Sequence, residues 1–163
     1  MNLRPSTAYC YIPTPLGDIL AVQGEKGLEQ LLFPLNGIKI SPEHSWIEDS
    51  IYLKQTSDEI MAYFNKELTT FSITLAPKGT PFQQRVWSTL IMIPIGTTVS
   101  YKYVAESINN PKACRAVGGA IGKNPIPIII PCHRVIGTDG SLTGFASGLD
   151  IKRYLLNLEG VAC

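Results

Sequence analysis

No run of apolar residues in this chain approaches the roughly 20 that a membrane span requires, and Met1 to Tyr9 lack the apolar core of a secretory signal. A protein without membrane contact, resident in the cytoplasm, is expected. Histidine is nearly absent: His44 and His133 are the two in 163 residues. The four cysteines, Cys10, Cys114, Cys132 and Cys163, are widely scattered. Zinc-type sites need closely spaced ligand pairs, which these residues do not supply, so neither a metal nor a cofactor is expected. Dispersed cysteines without a leader ordinarily stay reduced, with one pairing, such as Cys10 with Cys114, left open.

Acidic residues are scarce in the second half. Residues 1–78 carry 6 Lys or Arg against 9 Asp or Glu, and residues 79–163 carry 8 against 4. Net charges of −3 and +4 follow. A basic half fits an anionic partner, most commonly nucleic acid; solvated surface charge fits it equally well.

The first half reads as a small sheet with a helix. Short β-type runs at Ala8 to Ile12, Ile19 to Gln23 and Leu28 to Phe33 are separated by turn signals at Pro13 to Gly17 and Gly24 to Gly27. Apolar spacing predicts a helix within Trp46 to Lys66, and Phe71 to Leu75 could add a strand. Ala76 Pro77 Lys78 Gly79 is the expected seam, giving domains 1–78 and 79–163.

The second half reads as mainly helical. Thr80, Pro81 and Gln83 form a capping box with proline at the first helical position, ahead of a helix to about Met92. Ser100 caps a helix to about Ile108, and Pro111 opens another to about Gly122, the pattern of a helix-turn-helix. In the second of these, Ala113, Val117, Ala120 and Ile121 are the expected inward stripe, leaving a basic face of small residues. Each glycine there weakens the helix by up to about 1 kcal/mol relative to alanine. Close approach of DNA phosphates explains them; packing through small residues explains them as well. Thr138 Asp139 Gly140 predicts a hairpin turn forming a wing, and Ser147 with Asp150 a cap for a last helix with buried Ile151, Leu155 and Leu158, stopped by Gly160.

The chemistry concentrates at Asn124 to Val135. Prolines at 125, 127 and 131 frame an isoleucine-rich run and push the residues before them toward extended geometry, so the segment is expected to form a stiff pocket wall ending at Cys132 and His133. An imidazole can activate a thiol, whereas burial among isoleucines suppresses its ionisation. Neighbours in an extended segment point to opposite sides, so contact requires a water or a bend. Glu159, in the final turn of the last helix, is either an indifferent surface residue or the acid of a relay.

Thr80 Pro81 Phe82 Gln83, Ile93 Pro94 Ile95 Gly96, Ser100 Tyr101, Asn110 Pro111 Lys112 Ala113, Arg115 Ala116 Val117 Gly118, Asn124 Pro125, Pro131 Cys132 His133 Arg134 Val135 and Leu158 Glu159 Gly160 together resemble the O6-alkylguanine-DNA alkyltransferases. The first half is similar only in Thr14 Pro15 Leu16 Gly17 and its strand–helix layout. The resemblance implies an α+β fold: a small RNase H-like N-terminal domain, then a mainly helical domain with a winged helix-turn-helix. It implies DNA repair by irreversible transfer of the alkyl group of O6-alkylguanine, and of O4-alkylthymine, to Cys132 after base flipping, by a monomer acting on double-stranded DNA.

By the same resemblance, His133 is the base acting through a water, Glu159 its orienting partner, and Asn124 a brace for the pocket. Tyr101 donates to the guanine ring and crowds the phosphate, while Arg115 fills the vacated stack. Lys112, Ala113, Gly118, Gly119 and Lys123 complete the DNA-binding surface, and Val135, Phe145, Ala146, Ser147 and Gly148 line the base pocket. Phe145 departs from the Tyr of many relatives, removing a hydroxyl from that wall. The zinc ligands of some relatives are missing. A Cys-His hydrolase and a non-catalytic DNA-binding protein are the rival readings; the first lacks any mark of an oxyanion hole, and the second does not explain Cys132, His133, Asn124 and Glu159 together.

Overall fold

Alternating apolar and polar residues make Thr7–Thr14 (β1) a strand that turns Ala8, Cys10 and Ile12 inward. The computed structural model describes residues 7–163, so the leaderless reading of Met1 to Tyr9 falls mostly outside the described residues. The chain divides into two compact units, one ending at Lys78 and the other running from Gly79 to Cys163.

In the first unit the chain reverses after Thr14 into Gly17–Gly24 (β2), which pairs antiparallel with the whole of β1. Gly17 makes the reversal possible: its φ is +97°, and a Cβ there would stand 2.8 Å from the Pro34 ring. Gly27–Leu32 (β3) continues the meander, with a register shift at Val22/Gln23. Ile47–Glu48 (β4) joins the far side of β1 in parallel, giving the order β3-β2-β1-β4. Lys54–Phe64 (α1) packs against β1 through a face that includes Ile60, Tyr63 and Phe64. This is the RNase H-like arrangement.

Two expectations for this unit need correction. The helix predicted within Trp46 to Lys66 begins only at Lys54, because the Asp49 carboxylate accepts the amides of Ile51 and Tyr52 at 3.1 and 2.9 Å and holds them in a turn. Phe71 to Leu75 forms no strand. It contributes one bridge, Leu28 to Leu75, flanked by bonds from Leu28 N to Thr74 O and from Ala76 N to Leu28 O.

The second unit opens with Pro81–Ile91 (α2). Thr80 Oγ1 accepts the Gln83 amide at 3.2 Å and Gln83 Oε1 accepts the Thr80 amide at 2.9 Å, so the capping box forms as the sequence indicates. Trp87, fully buried on α2, donates its indole N–H to the Ala120 carbonyl at 2.9 Å. That bond ties α2 to Cys114–Gly122 (α4). Before α4 come Val99–Ser100 (β5) and Tyr101–Ser107 (α3), the latter capped by Ser100 Oγ accepting from Tyr103 N at 3.0 Å. Helix α4 starts at Cys114, later than predicted, because Pro111 is used in a turn closed by Ala113 N donating to Asn110 O. Ala113 is therefore the N-cap and only half-buried, whereas Val117, Ala120 and Ile121 face inward.

Val135–Ile136 (β6) pairs in parallel with β5 and not with residues 141–143. The turn at 138–140 exists, closed by Gly137 N donating to Ser141 O at 2.9 Å, but no ladder extends from it. The wing is a loop. Leu149–Leu158 (α5) ends the fold. Its N-cap is Gly148, at φ +105°, and not Ser147, which therefore makes no capping bond. The buried residues of α5 are Lys152, Leu155 and Leu156, whereas Ile151 and Leu158 are only half-buried. Gly160, at φ +85°, terminates the helix.

Candidate active site

The proline-framed segment is coiled and not extended. Proline fixes its own φ, yet Ile130 N donates to Ile126 O at 2.9 Å across a turn that leaves Ile126, Ile128, Ile129 and Ile130 buried. Asn124 spends both ends of its amide on this turn, donating from Nδ2 to Ile130 O at 2.7 Å and accepting the Ile126 amide at 3.0 Å. Ile128 sits at φ +75°, a costly conformation for a β-branched residue that the surrounding packing and the Asn124 brace hold in place. Cys132–Arg134 then form one 3₁₀ turn, with Arg134 N donating to Pro131 O at 3.0 Å. The strand-like alternation expected of Cys132 and His133 is thus replaced by a bend.

Cys132 is 5% exposed and lines a narrow cleft of about 300 Å³ including its mouth. The walls are Ile121, Gly122, Asn124 and Pro127 on one side and Gly144, Phe145, Ala146 and Ser147 on the other. Phe145, Ala146 and Ser147, which the resemblance assigns to a base pocket, line this cleft. Val135, fully buried in β6, and Gly148, the exposed cap of α5, do not line the cleft. Burial pushes the Cys132 thiol up to about 11, against the lowering effects of an Asn124 hydrogen bond and the Lys152 charge. At neutral pH the sulfur carries its proton.

His133 is fully buried, and its Nε2 lies 2.7 Å from Oε1 of Glu159, at the C-cap of α5. Arg134 Nη2 reaches the same oxygen at 2.8 Å and Arg134 Nε reaches Oε2 at 2.9 Å. A carboxylate beside a guanidinium is ionised and can only accept, so Nε2 must carry the imidazole proton. Nδ1, buried without a hydrogen-bond partner in the protein, keeps the lone pair. That atom is free to accept a proton. Burial holds the imidazole below its ordinary value of 6.5, outweighing the raising effect of Glu159, with Arg134 and Lys152 also opposing protonation. The resting pair is a neutral thiol and a neutral imidazole.

Sequence reasoning missed Lys152, because lysine is almost always a surface residue. It is fully buried and donates from Nζ to Val135 O at 2.6 Å and Thr143 O at 2.9 Å. Tyr101 Oη donates to the same Thr143 carbonyl at 3.0 Å. The loop that carries Gly144 to Ser147 is therefore tied to both α5 and α3.

Helix α4 carries Arg115 and Gly119 exposed, with Lys112 before it and its C-cap Lys123 exposed as well, and Gly118 half-buried next to the Tyr101 ring. A Cβ added at Gly119 or Gly122 would meet nothing within 4 Å. Internal packing therefore does not explain these two glycines. Among the described residues no group of three or more His, Cys, Asp and Glu is placed to hold a metal, and no helix is long and apolar enough to cross a membrane.

Residues 81–161 match the model of the 6-O-methylguanine DNA methyltransferase DNA-binding domain, and residues 7–77 that of its ribonuclease-like domain. The chain belongs to the 6-O-methylguanine DNA methyltransferase family. It is 49% identical over 152 residues to the methylated-DNA–protein-cysteine methyltransferase of Methanosarcina acetivorans, covering 93% of this chain and 97% of that one. The Haemophilus influenzae protein of the same name is 42% identical, covering 94% and 86%. Its fold superimposes on the Mycobacterium tuberculosis O6-methylguanine methyltransferase with a TM-score of 0.84 at 42% identity, over 94% of this chain and 92% of the other. A Mycobacterium tuberculosis structure of this family in complex with DNA matches equally well, at 0.84 and 45% identity over 93% and 92%.

Within this methyltransferase family fold, the structure brings Cys132, His133, Asn124 and Glu159 to one end of α5 and the braced turn, while Arg115 stays on the outer face of α4. Arg134 and Lys152 are the additions. A signal for Arg134 was available, since a buried relay carboxylate needs a compensating cation.

Proposed function

We propose that this protein repairs DNA by direct reversal, taking the alkyl group from O6 of guanine, or O4 of thymine, in double-stranded DNA onto Cys132. The observation that carries the reading is the pairing of a cleft-lining thiol with a buried base, His133, whose tautomer is fixed by an ionised acid. An alkylated base inside a duplex is out of reach, so it rotates into the cleft at a cost of a few kcal/mol, less for a damaged pair. Arg115 on the exposed face of α4 takes its place in the stack, with Lys112, Ala113, Gly118, Gly119 and Lys123 along the backbone. This monomer works in the cytoplasm.

At the cleft, the sulfur–carbon bond forms as the carbon–O6 bond breaks. The thiol proton passes through a water to Nδ1 of His133, and the imidazolium so formed is stabilised by Glu159. The departing guanine receives a hydrogen bond from Tyr101, which gives up its contact with Thr143 O to make it. The base regains its ring proton from the water pool. Asn124 and the loop from Phe145 to Ser147 hold the cleft in shape. A thioether does not hydrolyse, so the protein is consumed.

Intact mass after incubation with a duplex containing O6-methylguanine tests this. One methyl gained on Cys132, and none on a Cys132→Ala variant, is expected. Repeated turnover on the duplex, or on an ester or thioester, would favour the hydrolase reading. DNA binding without any mass gain would favour the non-catalytic one.

A further inference from the structure

Thiol, base and orienting acid suffice for the proposed transfer, yet a fourth buried group is built into the relay. Arg134 reaches it through two bonds, Nη2 to Oε1 and Nε to Oε2 of Glu159 at 2.8 and 2.9 Å, and is anchored by a third from Nη1 to the carbonyl of Ile93, just beyond α2, at 2.6 Å. Its side chain is 8% exposed, and those of Glu159 and His133 are fully buried. Glu159 Oε1 thus receives His133 and Arg134 together.

We infer that Arg134 is a positioning residue that keeps His133 in its neutral, proton-accepting form by sharing the Glu159 carboxylate with it. This rests on the alkyl-transfer reading. An unshared carboxylate 2.7 Å from an imidazole favours the protonated ring, and a ring already protonated cannot take the thiol proton. The guanidinium places a permanent positive charge on the same oxygen. Its planar fork also fixes both carboxylate oxygens, and the Ile93 bond fixes the fork. The charged and titratable groups facing His133 are Glu159, Arg134, Lys152 and the adjacent Cys132. Of these, Glu159 alone favours the imidazolium, whereas Arg134 and Lys152 oppose it. Lysine at 134 would supply the charge without the fork, and glutamine would supply neither.

The test is the pH dependence of single-turnover transfer in Arg134→Gln and Arg134→Lys, read alongside the titration of His133 by NMR in a Cys132→Ser background. Arg134→Gln should be about tenfold slower than the parent near pH 6, the deficit closing as the pH is raised to about 8, with His133 titrating at higher pH. Arg134→Lys should leave the limb where it is in the parent and slow transfer equally at all pH. A deficit of Arg134→Gln that does not depend on pH, or an unmoved His133 titration in that variant, overturns the inference. Should Arg134→Gln not fold, a shifted limb in Arg134→Lys overturns it as well. The NMR arm needs no reaction, so its outcome is separate from the alkyl-transfer reading, which fails if the parent gains no methyl at any pH.

Discussion

The Nζ of Lys152 lies 2.6 Å from the carbonyl oxygen of Val135, in a setting where the lysine is wholly removed from solvent. Burial lowers its proton affinity, and the charge acts on Cys132, whose ionisation it favours. The same ammonium holds Thr143 and hence the cleft loop. Lys152→Met keeps the stem and removes the head. The buried Val135 carbonyl loses this donor, and the Thr143 carbonyl keeps only that of Tyr101, so stability should fall by about 1–3 kcal/mol in urea unfolding. Alkyl transfer should slow beyond what that loss of stability explains, because the thiol loses a cation that favours sulfur charge in the transition state.

The rate should be nearly flat from about pH 7 to 9. With the thiol pushed up to about 11, attack by pre-formed thiolate would instead climb about tenfold per pH unit across that range. A base-coupled attack depends on neutral His133, which is in excess throughout, because its folded value lies below 6.5. The acid limb should therefore appear below 6.5. Single-turnover rate constants across this range decide between the two forms.

Gly119→Ala separates stability from DNA contact. The position is exposed, helical and open for 4 Å around a new Cβ, so alanine should stabilise the protein by about 1 kcal/mol. Duplex affinity should nonetheless fall severalfold if, as proposed, this face meets the DNA backbone, because the methyl would then stand in the way of a phosphate. Thermal unfolding and a salt-controlled binding titration give the two numbers.

Arg115→Ala should impair repair of duplex DNA far more than reaction with free O6-benzylguanine, about a hundredfold against less than threefold. The residue is exposed on α4 and does not line the cleft, so a free base already extrahelical has no need of it. Equal losses on both substrates would remove Arg115 from base flipping.

What was legible in the chain was local. Thr80, Pro81 and Gln83 form their capping box because every partner lies within four residues, and the same holds for Ser100 at the start of α3. The Cys132–His133–Glu159 grouping was legible only through family resemblance, since 26 residues separate His133 from Glu159. Proline spacing misled at residues 124–131: it restricts φ, but the hydrogen bonds of the Asn124 side chain to Ile126 and Ile130 close the segment into a turn. Ser147 with Asp150 looked like a cap, yet the chain enters α5 at a positive φ that Gly148 supplies. Lys152 was hidden because its acceptors are backbone carbonyls, which leave no mark in the sequence.

Stoichiometry is the most direct measurement of the central claim. Titrating a fixed amount of protein with an excess of O6-methylguanine duplex and counting repaired guanines should give a plateau of one per molecule, matched by one S-methylcysteine at position 132. A count that keeps rising with time, or a methyl recovered on Cys10, Cys114 or Cys163 in place of Cys132, would contradict it.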